Sequence, residues 1–112
     1  MSIPRLNQEM ALESPMPQSD GAGGFTETWT AVGRLWVELS GRTGRASTQG
    51  GVPVSKASYK ITVRGRPTDD PRRPVAQQRF RMGLRIFAIQ AVVEQDAGGR
   101  YLTCFVDEEV AA

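Results

Sequence analysis

Histidine is missing from all 112 residues, and Cys104 is the only cysteine. Without an imidazole, a Ser–His or Cys–His nucleophile pair and a histidine metal site are excluded. A lone thiol forbids an intrachain disulfide, which fits synthesis in a reducing cytoplasm. In an alternating strand such a thiol reads as a small buried hydrophobe. No apolar run approaches the roughly 18 residues of a membrane-spanning helix. The first twenty residues lack both a basic stretch and an apolar one, so neither a membrane span nor a signal peptide is expected. Asp107, Glu108 and Glu109 are the only three consecutive acids. On a strand, consecutive side chains alternate faces and cannot converge on one point, so they read as a solvated acidic tail. The glycines of Gly21-Ala22-Gly23-Gly24 lack the Gly-Lys-Ser/Thr ending of a phosphate loop, and no helical pattern follows them. No catalytic residue, cofactor or metal is therefore expected.

What the chain does contain is alternation. Leu6, Met10 and Leu12 share one face of a first short segment, with Asn7, Glu9 and Glu13 on the other and prolines at 4, 15 and 17 around it. From Phe25 to Leu39 the residues are again strand-formers, ending with Leu35, Val37 and Leu39 opposite Arg34, Trp36 and Glu38. Residues 40–55 hold four glycines, a proline and little to bury, and read as a long flexible loop. Ala57, Tyr59, Ile61 and Val63 then alternate with Lys56, Lys60 and Arg64. A Pro-rich loop spans 67–74, and Phe80 and Met82 mark a short strand ended by Gly83. Residues 84–93 are nearly continuously apolar, and a turn at 94–99 leads to a last strand over 100–106. This pattern predicts one all-β domain over residues 1–112. Its form would be a small antiparallel β-barrel or sandwich of about six strands, with the long flexible loop at 40–55.

Charge is unevenly spread. Residues 34–85 carry twelve Lys or Arg against three acids, a balance of +9, while residues 1–33 sum to −3 and residues 86–112 to −4. A basic middle between acidic ends calls for nucleic acid, an acidic subunit surface, or simply solvent. Arg42, Arg45 and Lys56 lie in or beside the 40–55 segment, which has no use for them in folding. They are the candidate DNA-facing residues. Trp29 and Trp36 are the candidate subunit-interface residues. Trp36 stands on the opposite face from Leu35 and Val37, and a small domain cannot easily bury both faces of an outer strand.

The order of motifs resembles the phage head–tail joining family, whose members are also called head closure or stopper proteins. The resemblance rests on Asp20-Gly21-Ala22-Gly23-Gly24 with Trp29 a few residues on, then Trp36-Val37-Glu38-Leu39-Ser40-Gly41. It continues in Lys60-Ile61-Thr62-Val63-Arg64, in Arg79-Phe80-Arg81-Met82-Gly83-Leu84-Arg85-Ile86, and in Arg100-Tyr101-Leu102-Thr103-Cys104. It covers nearly the whole chain. Val37 departs from the alanine usual after the second Trp, and Arg42 stands where many relatives carry an acid. The resemblance implies a homo-oligomeric ring of sixfold or twelvefold symmetry in the neck of a phage or gene transfer agent particle. The ring would sit below the portal and adaptor, above a tail terminator or tail protein, with packaged double-stranded DNA in its channel. It also implies synthesis in the bacterial cytoplasm. The 40–55 loops would narrow the lumen. Two other readings stand beside it: a monomeric nucleic-acid-binding β-barrel of the OB or SH3-like kind, and a different neck component such as an adaptor or tail terminator.

Overall fold

A computed structural model describes residues 3–19, 21, 23–49 and 52–109 of the chain. Six strands form in sequence order: β1 (Gln8–Ser19), β2 (Phe25–Gln49), β3 (Val52–Arg64), β4 (Arg79–Met82), β5 (Arg85–Glu94) and β6 (Tyr101–Glu109). All pairings are antiparallel, and the strands close into a barrel in the order β1-β2-β3-β6-β5-β4. Closure is made by β1 against β4 over Ala11–Arg81, Leu12–Phe80 and Glu13–Arg79. Of the barrel and sandwich left open by the sequence, the barrel forms. Among the described residues no helix is long and apolar enough to cross a membrane.

The period-two pattern sets the inside of the barrel. Met10, Leu12, Leu35, Val37, Ile61, Val63, Phe80, Phe87, Ile89, Leu102, Cys104 and Val106 form one buried cluster. Tyr59 meets Phe87 edge-on with ring centroids 5.6 Å apart. Small barrels are filled by their own side chains, and the two largest fully buried side chains, Phe80 and Phe87, sit here. The barrel interior is therefore packed and leaves no channel through it.

Two segments reach beyond the barrel. β2 has 25 residues, which at ~3.3 Å each would extend about 80 Å if straight. The longest dimension of the molecule is 49 Å, and its radius of gyration of 15.5 Å exceeds the ~13 Å of a compact domain this long. β2 is therefore bent. The bends fall at register shifts, where Val32 and Arg42 have no cross-strand partner, and such bulges kink a strand at a barrel rim. Between them β2 belongs to the barrel. Before them it forms a two-stranded ribbon with β1 (14–19 against 25–30), and after them a second ribbon with β3 (43–49 against 52–58). The ribbons leave opposite ends of the barrel.

Two expectations are corrected here. Residues 40–55 are not a loop, since their backbone is strand up to the Gln49–Val52 pair. The Gly50-Gly51 dipeptide between two Thr-, Ser- and Val-containing runs is a hairpin signal, and the absence of anything to bury concealed it. Nor do Pro15 and Pro17 end β1. They pair with Trp29 and Glu27 beyond the last residue bonded to β4, where a strand edge tolerates the missing N–H.

Tight turns complete the barrel. Gly83, with φ of 63°, and Leu84 join β4 to β5 in a two-residue hairpin, and positive φ at the first position alone is the type II′ turn that matches strand twist. At the other end, Gly65 donates its N–H to the Arg100 carbonyl at 2.7 Å. A Cβ at Gly65 would overlap the Gly99 carbonyl oxygen, so only glycine lets the 65–78 loop pass the β5–β6 turn.

Candidate functional site

The surface is organised by where the ion pairs fall. At the base of the first ribbon, Glu13 is only 8% exposed although it faces outward. Arg79 donates from Nε to Glu13 Oε1 at 2.7 Å, and its guanidinium lies 4.0 Å over the Trp29 ring. Arg81 approaches the other carboxylate oxygen at 3.8 Å. Trp29, Arg79 and Glu13 thus fasten the ribbon to the barrel wall, and Trp29 has a partner within its own chain. A charge-assisted bond that is this shielded from water holds geometry well.

The opposite rim is capped differently. Arg85 grips Glu108 with two hydrogen bonds of 2.7 and 3.0 Å, and its guanidinium sits 4.9 Å from the Phe87 ring centre and 5.8 Å from that of Tyr59. The hydrogen bond from Arg85 holds the Glu108 carboxyl below its ordinary value, and Arg85 is raised by the same bond. In the 65–78 loop, Asp70 accepts from the Arg72 backbone N–H at 2.8 Å, which lowers its carboxyl value against the opposing effect of desolvation. Arg66 and Arg73 brace the same loop, Arg66 toward Asp70 and Arg73 toward Glu94 and the Arg66 carbonyl. Cys104 is buried in the core, and burial pushes its thiol up to about 12. It is no nucleophile at neutral pH.

On the outer wall of β2, β3 and β6 the register places Trp36 between Glu9 and Arg64, with Tyr101 next in the row. Trp36 is 57% exposed. Glu9 is held by Arg34 at 3.2 Å, whereas Arg64 joins no ion pair among the described residues. Below this row an open groove of about 590 Å³ is lined by Glu38, Ser40, Lys60, Thr62, Gln95 and Thr103. The groove is open and lined by polar side chains, with one large aromatic standing out of the wall above it. That arrangement suits contact with another protein surface better than capture of a small molecule. Leu84 adds a second apolar projection at the β4–β5 turn, 94% exposed. The sequence reading missed Leu84 because it opens a nearly continuous apolar run, 84–93, and only its place in the turn sets it apart.

Arg42, Arg45 and Lys56 all fall on the second ribbon, so the fold brings the three to one arm. The side chains of residues 42–49 and 52–56 lie outside the described residues. Trp29 and Trp36 are not brought together, since they lie in different parts of β2 with different neighbours.

With this geometry in view, the comparisons with known proteins are decisive. The model of the phage head completion protein family matches residues 1–109. The chain belongs to that family. This head completion protein is also similar to a chain from the virion of a native gene transfer agent particle. The two are 43% identical over 98% of this chain and 100% of that one, with a TM-score of 0.87. Curated protein sequences give no match. As a head completion protein the chain is a structural component of a phage or gene transfer agent particle, with a place in the head–tail neck.

Proposed function

We propose that this head completion protein is the stopper of the neck. Six or twelve copies would form a ring below the portal and adaptor, retain packaged double-stranded DNA, and offer the surface on which the tail terminator or tail protein docks. The observation that carries the reading is the family match over residues 1–109. The packed barrel interior supports it by leaving the space between copies as the only route for DNA. The second ribbon supports it as well, because residues 42–56 carry Arg42, Arg45 and Lys56 and no acid. A ring multiplies that charge, so two arginines per ribbon become about twelve or more around one lumen, enough to hold phosphates electrostatically. Trp36 packs against a neighbouring copy in this reading, as an exposed aromatic hot spot, while Trp29 stiffens the base of the first ribbon. The protein performs no catalytic step. It holds DNA by shape and charge.

The test is DNA retention in particles whose second ribbon is shortened by replacing residues 45–56 with a two-residue turn. The particles should leak DNA. Arg42→Glu with Arg45→Glu should act in the same direction, more strongly at low salt. Retention equal to wild type in the shortened particles would leave the scaffold role and remove the gate.

A further inference from the structure

Outside the barrel, β2 has open edges on both sides of the molecule. In the first ribbon residues 25–32 bond only to β1, because pairing with β3 begins at Val37. In the second ribbon residues 43–49 bond only to β3, because pairing with β1 ends at Val37. The ribbons also leave one edge of β1 and one of β3 open, and these are treated differently. β1 carries Pro15 and Pro17 there, and β3 carries Pro53, while β2 has no proline anywhere from Phe25 to Gln49. Proline on an edge prevents strand addition, so two of the four open edges are blocked and two are left able to pair.

The proline positions also orient the ladder. Pro15 and Pro17 have no N–H, so they fit where that group would face away from β2. Their partners Trp29 and Glu27 then turn their own N–H and C=O groups to the far edge of β2, as does Ala31. The run Thr28-Trp29-Thr30-Ala31-Val32 has high strand propensity. Charge distinguishes the two open edges. Residues 14–30 carry Asp20 and Glu27 and no Lys or Arg, whereas residues 42–56 are basic without an acid. Each edge would repel a copy of itself and attract the other. Because the ribbons leave opposite ends of the barrel, such a contact is head-to-tail, the kind that closes rings.

Building on the ring reading above, we infer that neighbouring copies join by strand addition. The open edge of residues 25–32 in one copy pairs with the open edge of residues 43–49 in the next. Pairing along an edge leaves both faces of the ribbon uncovered, so the basic ribbon still presents charge to the lumen.

The test counts copies of this chain in purified particles. Glu27→Arg and Arg45→Glu should each lower the retained copies by about tenfold, and the two together should restore them. Ala31→Pro, which removes an N–H only from the far edge, should lower them as well, while Pro17→Ala should not. Thermal unfolding of each isolated variant checks the fold. If Ala31→Pro unfolds early, the charge exchange alone decides. Single charge variants that occupy particles like wild type, or an exchange no better than either single, overturn strand addition. Wild-type particles that hold one or two copies instead of a ring's worth overturn the ring reading itself, whatever the variants do.

Discussion

Residues 33–41 of β2 and the residues on either side of them belong to one continuous strand, yet they are held by different forces. Within the barrel, β2 passes from pairing with β1 to pairing with β3 at Val37 and sends Leu35 and Val37 into a sealed core. Outside it, β2 has one partner strand and contributes no residue to the buried cluster. Burial of apolar area dominates the first region, while the ribbons rely on hydrogen-bonded ladders, strand propensity and a few pins such as Arg79 on Trp29. The contrast separates stability from function. The barrel makes the fold, and the ribbons are free to meet DNA or a neighbour without endangering it. Sub-global stability in proteins commonly divides along such lines.

The comparison breaks most easily if the barrel tolerates damage. Phe80→Ala or Phe87→Ala should destabilise by about 3–5 kcal/mol in denaturant unfolding, against within about 0.5 kcal/mol for the shortened second ribbon. Similar losses for both would erase the distinction. Gly65→Ala comes next. Its methyl meets the Gly99 carbonyl oxygen, the neighbour is backbone, and a loss of about 1–3 kcal/mol is expected. Glu13→Gln leaves the Arg79 guanidinium without its counter-charge in a shielded site, and about 1–3 kcal/mol should be lost there too. That variant also sharpens the comparison, because residues 14–30 should then exchange amide hydrogens faster than the barrel does.

Acid provides a finer probe. Glu108 has a folded-state value below its unfolded one, near 4.3, so its stabilising contribution is present above that pH and is lost as pH falls through the folded value. Asp70 acts in the same direction from the opposite end of the molecule. Stability measured from pH 6 downward should fall below about pH 4.3, and Glu108→Gln should flatten part of that slope. A pH profile identical to wild type would remove the Arg85 clamp from the account. The smallest stability effect belongs to Trp36→Ala. It should change unfolding by within about 0.5 kcal/mol while impairing particle assembly more than Ser40→Ala does.

Much of this protein was legible from alternation alone. The sequence determined the all-β class, the six strand cores and most of the inner face of β1 to β4, because a side chain on a strand points in or out by parity, and parity is local. Family membership was legible too, since it lies in the order of short motifs around Trp29, Trp36 and residues 60–64 and 79–86. The tertiary structure alone decided how the strands close. The three-pair contact of β1 with β4 joins residues almost seventy positions apart and leaves no local trace. The pairs Glu13–Arg79 and Arg85–Glu108 are also non-local, 66 and 23 positions apart, and each needed the barrel register to bring its partners within hydrogen-bond reach. The same register, carried past the barrel by two bulges, turned residues 40–55 from an expected loop into a ribbon. A polar segment with nothing to bury gives no hydrophobic signal, and only its pairing partner reveals that it is a strand.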